Sequence, residues 1–463
     1  MTGASPVPLA DGLPPKERRW AMLALMMATV MAVLDGSIAN VALPTIARDL
    51  QTDAANSIWV VNAYQLSILL CLLPFSSFGD IYGYRRVCLA GLVVFVIGSA
   101  CCALSSSLPL LVASRVLQGI GAAGIMSVNG ALVRLIHPRA QLGRGIGMIA
   151  LVVSVTSAAG PTVASGILSV ASWSWLFGVN LPLGLLTLWL TFRRVPATPR
   201  LPYRFDWWGA VLCMATFGLL IAGVDGLGHG APLLLVAAQI AIALALGVFL
   251  VRWQTRVAMP ILAVDLFRRP IFALSVATSI CSFSAASMGL ISLPFYFVEV
   301  LGRSQVEAGL LMTPWPLFSA MTALIAGRLA DRYPVQLLGC LGLGSLCAGL
   351  VLLAFLPPQP EFWNIAWRMA LCGLGFALFQ SPNNRVLMTS APRERSGAAS
   401  GVLSSARLLG QTIGAALTAL TFNIVGGGAE GATDAILVGA CAAAAAFILS
   451  ALRKSGDAQG KPV

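Results

Sequence analysis

The sequence predicts an all-α polytopic membrane protein with fourteen transmembrane helices, arranged as two six-helix bundles plus an inserted two-helix hairpin. Three observations predict it. Hydrophobic residues make up 58% of the 463-residue chain and charged residues only 10%, against about 25% charged in soluble proteins. The apolar residues come in continuous runs of about 20, enough for a helix to cross the hydrocarbon core, and not in the short alternating segments of a membrane barrel. The basic residues gather in alternate connections, as they do when lysine and arginine are retained in cytoplasmic loops.

Residues 1–19 form a proline-containing tail that ends in "KERR". The run after it is too long for a signal-peptide core and closes without a small-residue cleavage site, so it reads as a retained first span. The first bundle, 20–192, holds spans at 20–41, 57–79, 86–106, 109–133, 144–170 and 174–192. A linker at 193–206 precedes the hairpin, 207–252, with spans at 207–224 and 233–252. A second linker at 253–270 leads to the second bundle, 271–452, with spans at 271–298, 305–327, 335–356, 363–381, 398–424 and 433–452. Residues 453–463 are a tail.

The charges test this count. With the N-terminus inside, every even connection is cytoplasmic. Arg85 and Arg86 fall in the second connection, and Arg134, Arg139 and Arg144 in the fourth. Arg193, Arg194, Arg200 and Arg204 fall in the sixth, and Arg252, Arg256, Arg268 and Arg269 in the eighth. Arg328 and Arg332 fall in the tenth, and Arg385, Arg393 and Arg395 in the twelfth. The odd connections hold only Arg48 and Arg303. Merging or splitting one span would scramble the pattern. The same bias accounts for the net charge of +12, so no nucleic-acid partner is expected. The ten cysteines lie in or beside apolar runs without a CxxC pair, and His137 and His229 are far apart; no disulfide framework and no metal site is expected.

An internal repeat divides the chain. "FGDIYGYRR" closes the second span, with Asp80 beside Arg85 and Arg86; "GRLADRYP" closes the tenth, with Asp331 between Arg328 and Arg332. An arginine inside a span follows 35 residues after Asp80 (Arg115) and 37 after Asp331 (Arg368). Each precedes two glycines spaced by one residue, Gly119 and Gly121 or Gly373 and Gly375. Spans 1–6 and 9–14 thus read as two copies of one unit, an arrangement found in transporters that bind substrate between the halves.

Several motifs, in order and on the expected sides, resemble the major facilitator superfamily, and within it the fourteen-span drug:proton antiporters (the EmrB/QacA group). "LDGSIANVALPTIARDL" (34–50) resembles the first-helix signature of that group, with Ser37 where threonine is commoner. "SSFGDIYGYRR" (76–86) resembles the superfamily's loop motif between helices 2 and 3, departing at Ser76 and Ile81. "RVLQGIGAAG" (115–124) resembles the helix 4 motif, and "AAGPTVASG" (158–166) the helix 5 antiporter motif, with Ala164 and Ser165 in place of paired glycines. "WSWLFGVNLPLG" (173–184) and "FDWWGAVL" (205–212) resemble the openings of helices 6 and 7. The resemblance implies the major facilitator fold and proton coupling through Asp35 and Arg115.

The residues have their own reading. Asp80, Gly83, Arg85 and Arg86, with Asp331 and Arg332 in the second copy, are candidates for a charge latch at the cytoplasmic gate, where Gly83 permits a tight turn. Gly160 and Pro161 interrupt a helix, for gating or for packing. Trp173, Trp175, Trp59 and Trp363 read as an interfacial aromatic belt. Tyr64, Gln118, Asn129, Trp315, Phe318, Gln380 and Asn383 are candidates for lining a substrate cavity, with inter-helix hydrogen bonding the alternative for the polar ones. Of 17 acids, only Asp35 lies deep within a span. A charge there costs roughly 2.5–3.5 kcal/mol on insertion scales and marks function. Arg115, Arg368 and Arg407 are the arginines inside spans, and Arg407 has no evident partner in the sequence.

Burial raises a carboxyl pKa and a nearby cation lowers it, so a carboxyl whose surroundings alternate binds and releases protons alternately. Deprotonated, Asp35 needs a countercharge, either Arg115 or a cationic substrate. The expected function is proton-coupled efflux of amphipathic, cationic drugs, dyes or antiseptics by a protein that acts as a monomer in the inner membrane. Neither cofactor nor ATP is expected, since no GxxxxGK[ST] occurs in the chain. A dedicated exporter of a metabolite or self-made antibiotic, and a non-transporting sensor, are the rival readings. An enzyme is not expected, since no span clusters His, Asp or Ser groups.

The charge pattern predicts the outcome of thiol labelling. A cysteine at Gly228, in the seventh connection, reacts with an impermeant reagent from outside the cell, and one at Arg200 does not; the reverse pattern would overturn the topology.

Overall fold

Every long apolar run becomes one helix, because hydrocarbon leaves backbone N–H and C=O groups no partner except each other. The computed structural model describes residues 12–138, 141–197, 205–228, 231–257, 264–330, 332–390, 396–426 and 429–453. Among these, fourteen helices are long and apolar enough to cross a membrane, and none of the described residues is in a strand. They are α1 (Pro15–Asp49), α2 (Ala54–Tyr82), α3 (Tyr84–Ala103), α4 (Leu108–Ile136), α5 (Leu151–Leu168), α6 (Ser174–Arg194) and α7 (Trp207–Val224). They continue with α8 (Leu233–Gln254), α9 (Pro270–Val300), α10 (Gln305–Leu329), α11 (Val335–Ala354), α12 (Phe362–Ser390), α13 (Gly401–Val425) and α14 (Glu430–Ala451). Several run beyond their expected apolar limits; α1 begins at Pro15, where proline suits a first helical turn, and carries Pro44 near its end. Asp331 lies outside the described residues, as do Arg139, Arg200, Arg204, Arg393, Arg395, His229, most of both tails and parts of both linkers.

The repeat is visible in packing. Tyr64 lies sixteen residues before Asp80, and Trp315 sixteen before Asp331. The backbone of Tyr64 is so near Gly119 that a Cβ there would meet its carbonyl oxygen at 2.6 Å; a Cβ on Gly373 would meet that of Trp315 at 2.0 Å. Gly121 likewise abuts Gly91 and Phe95 of α3, and Gly375 abuts Gly342 and Leu346 of α11. In both halves, small residues on the fourth helix admit the second and third. The two arginines of the repeat differ. Arg115 is fully buried, whereas Arg368 lies partly exposed near the start of α12 and donates to the Leu352 carbonyl at the end of α11 (2.7 Å).

The two bundles share one core at one end, the closed end. One continuous apolar cluster runs through α1–α6 and α9–α14 at this end, which carries the odd connections. Toward the even connections the core divides into a cluster mainly of the first bundle and another of the second. At the closed end α5 meets α10: a Cβ on Gly309 would stand 2.9 Å from the Pro161 carbonyl and clash with the Ser165 hydroxyl. Thr162 and Thr313 hydroxyls are 2.9 Å apart there. Glu307 is occupied at the same end, closing a capping box with Ser304 at the start of α10.

The hairpin is lateral. Helix α7 packs on α13 and α2, and α8 mainly on α7. Asp206 holds the hairpin shut: it accepts from the Gly209 backbone N–H (2.9 Å), the Trp253 indole (3.1 Å) and the Gln254 amide (3.1 Å). The "FDWW" opening therefore supplies an N-cap that also ties α7 to the end of α8. Phe205 stacks on Phe78 with centroids 4.2 Å apart. The expected belt is divided: Trp175 and Trp363 are exposed, but Trp173 is buried against Phe177. It belongs to the apolar cluster shared by the two bundles.

Cysteines at Thr162 and Thr313 should form a disulfide in this closed arrangement, read by mass spectrometry of the linked peptide. Adding Gly309→Val should suppress it strongly, because the larger side chain forces α5 and α10 apart.

Candidate functional site

Helix periodicity sorts the polar residues of α1 onto two faces. Val33, Gly36, Ser37, Asn40 and Val41 fall on one stripe and line a cavity of about 270 Å³ between the bundles. Asp35 falls on another and points into the first bundle, where it is fully buried. Its Oδ2 pairs with Nη1 of Arg115. Its Oδ1 accepts from Nε2 of Gln118 (2.7 Å) and Nδ2 of Asn180 (2.8 Å). Gln118 also donates to Ser99 Oγ (2.8 Å) and accepts from Arg115 (2.6 Å). Nε of Arg115 donates to the Val60 carbonyl (2.8 Å). Five helices, α1, α2, α3, α4 and α6, thus meet on one ion pair, the only one among the described residues.

Tyr64 separates this cluster from the cavity. Its ring lies 4.1 Å from the Arg115 guanidinium, its hydroxyl donates to the Ala32 carbonyl (2.9 Å), and its side chain also lines the cavity. Phe177 covers the guanidinium from α6 at 5.4 Å. Nη2 of Arg115 is buried without a hydrogen-bond partner among the described residues.

The remaining cavity wall comes from α2, α4, α5, α9, α10, α12 and α13. Trp315, Pro316, Ser319, Ala320 and Ala323 form its stripe on α10, and Pro161 of α5 and Gln380 of α12 also line it. Gly160, beside Pro161, allows α1 to approach; a Cβ there would clash with the Ser37 hydroxyl. Gly160 and Pro161 therefore pack the cavity wall and the closed end together. Arg407 and Gln411 complete the lining from α13.

Four expected cavity residues lie elsewhere. Gln118 belongs to the Asp35 cluster. Asn129 donates to Thr29 Oγ1 (2.8 Å), binding α4 to α1. Asn383 donates to Ser279 Oγ (2.7 Å), binding α12 to α9. Phe318 falls off the α10 stripe by one residue and is exposed. The carboxylate is not open to a cationic substrate in this conformation, since both its oxygens are bonded and Tyr64 covers the approach. Asn180, Ser99, Asn40 and Gln411 were not singled out from the sequence. Asn180 carried a signal, as a polar residue within the quoted "GVNLPLG".

At the other end of the first bundle, Gly83 has φ +96° between α2 and α3, the tight turn the sequence requires. Asp80 accepts from the Tyr84 hydroxyl (2.5 Å). Arg85 donates to the Phe192 carbonyl of α6 and lies over its ring. Arg86 lines an apolar groove with Phe78, Tyr82 and Trp207, and Arg332 is exposed. Among the described residues Asp80, Arg85, Arg86 and Arg332 form no ion pair, and the bonds of Asp80 and Arg85 stay within the first bundle.

Two repeated six-helix bundles around a shared cavity are the architecture of a membrane transporter. The chain belongs to the Major Facilitator Superfamily, which matches residues 25–415; it is a transport protein and not an enzyme. It is 52% identical to the uncharacterised transporter YebQ of Escherichia coli (strain K12), over 96% of this chain and 97% of that one. It is 34% identical to the multidrug resistance protein Stp of Mycobacterium tuberculosis (strain CDC 1551 / Oshkosh), over 86% of this chain and 74% of Stp. Its fold is similar to that of a bacterial homologue of the human lysosomal transporter Spinster, with a TM-score of 0.67 at 17% identity, covering 95% of this chain and 98% of that one.

Gln118→Leu removes a side chain that uses donor and acceptor together. It should destabilise the protein by about 1–3 kcal/mol, because Asp35 and Arg115 each lose a buried partner. Asn129→Leu removes one inter-helix bond and should cost about 1 kcal/mol. Thermal unfolding in detergent measures the difference.

Proposed function

We propose that this protein is a proton-coupled exporter of small amphipathic compounds, of the fourteen-span drug:proton antiporter group, working by alternating access in the inner (plasma) membrane with both termini cytoplasmic. The observation that carries the reading is the Asp35–Arg115 pair, sealed from the cavity by the single side chain of Tyr64. The description of Stp as a multidrug resistance protein supports export of drug-like compounds.

The chemistry follows from the cluster. Deprotonated Asp35 holds Arg115, Gln118 and Asn180, and so holds α1, α4 and α6 together. Protonation removes the countercharge. A neutral carboxyl is far less costly in hydrocarbon, but Arg115 then needs other acceptors, which favours a rearranged bundle. Arg115 stacks on Tyr64, so its movement reaches the cavity wall directly. Coupling is thereby indirect: proton and substrate act on opposite faces of one side chain. Each pH unit supplies about 1.4 kcal/mol, and the membrane potential roughly 2.3 kcal/mol per charge per 100 mV. By the charge bias, the closed end faces outward and the opposite end faces the cytoplasm, the side from which an exporter loads.

Asp35→Asn keeps the size and part of the hydrogen bonding but cannot titrate. In proteoliposomes it should abolish accumulation driven by a pH gradient while preserving substrate exchange at equal concentrations. Asp35→Glu should retain partial accumulation. Undiminished accumulation by Asp35→Asn would remove Asp35 from the coupling role and leave the pair as a static fastener.

A further inference from the structure

Among the described residues one charged side chain lines the central cavity, and it is a cation. Arg407 of α13 reaches the lining, where no described Asp, Glu, Lys or His is found. The other arginines inside spans have acceptors. Arg115 has Asp35 and the Val60 carbonyl, and Arg368 has the carbonyls of Leu352 and Phe355. Arg407 has none: its Nε is buried without a partner, and no hydrogen bond or ion pair of its guanidinium is formed among the described residues. A guanidinium remains charged in proteins, and an unpaired one at membrane depth is costly enough to mark a pathway or a ligand.

The neighbouring lining suits an anion on an apolar body. Gln411, one turn along the same helix, and Gln380 across on α12 both offer amide donors. The wall around them is aromatic, with Trp315, Phe283 and Phe376; the last two meet edge to face at 5.1 Å. Guanidinium groups bind carboxylates and sulfonates through paired, charge-assisted hydrogen bonds. A cationic cargo would instead face Arg407 with no acid among the described cavity residues to offset it.

Resting on the exporter reading above, we infer that the cargo is an amphipathic organic acid, its carboxylate or sulfonate held by Arg407 and its apolar body by the aromatic wall. The expectation of a cationic substrate is thereby reversed. The electrical consequence follows: one proton entering for each monoanion leaving moves two positive charges inward, so the membrane potential drives the exchange. Exchange of a proton for a monovalent cation would be electroneutral.

Three probes of one shape test this: 2-naphthoate, 2-naphthamide and 2-naphthylmethylammonium, titrated calorimetrically into the full-length protein in lipid nanodiscs. The naphthoate should bind more tightly than the ammonium by about tenfold or more. Arg407→Gln should erase that difference and leave 2-naphthamide unchanged, and Arg407→Lys should restore part of it. Equal or tighter binding of the ammonium, no naphthoate binding up to millimolar concentration, or unchanged naphthoate affinity in Arg407→Gln overturns the inference. The comparison within the wild-type protein decides the matter even if the variants fold poorly. Asp35→Asn should keep the preference for naphthoate while losing proton-driven accumulation, so a failure of coupling and a failure of anion recognition are read separately.

Discussion

A carboxylate in hydrocarbon is costly unless a cation and hydrogen-bond donors surround it, and the first bundle is built around that constraint. Breaking a buried pair by removing one partner costs about 3–5 kcal/mol in proteins generally. Here the surrounding groups raise the stakes, because Gln118, Asn180, Ser99 and the Val60 carbonyl are all oriented by the pair. The same groups make a proton at Asp35 a structural event. Neutralising one oxygen removes the reason for several side chains to converge.

The two halves descend from one repeat but do different work. Both use glycines on the fourth helix to bring the second helix close, and both place an aromatic residue, Tyr64 or Trp315, at the cavity. Only the first half has a deep acid. Its arginine is drawn inward to that acid, whereas Arg368 satisfies the carbonyls that end α11. The second half contributes the cavity's charge from another helix, through Arg407. In the proposed function, proton chemistry and cargo recognition lie on opposite sides of the seam, with Tyr64 between them.

The closed end depends on size, not charge. Gly309 against Pro161 and Ser165, and Thr162 against Thr313, let α5 and α10 touch. Such a contact has little to hold it beyond van der Waals packing and one hydroxyl bond, which suits an interface that opens in the proposed alternating-access cycle. The firmly bonded parts, the Asp35 cluster and the Asp206 clasp of the hairpin, lie within single structural units and can move as bodies.

By itself the sequence determined the helices, their number and the repeat, because a bilayer permits few alternatives: each run of about 20 apolar residues must satisfy its own backbone. It also marked Asp35 and Arg115, since a charge in an apolar run is conspicuous wherever the run folds. It did not determine which polar residues meet. Gln118 and Asn129 lie on one helix with similar surroundings in sequence, yet one completes the ion pair and the other fastens α4 to α1. Trp315 and Phe318 are three residues apart, and only Trp315 falls on the stripe that faces the cavity. Tertiary structure decided these, because the rotation of each helix about its axis is set by packing against neighbours distant in the chain. For the same reason it alone turned Asp35 away from the cavity and left Arg407 as the charge within it.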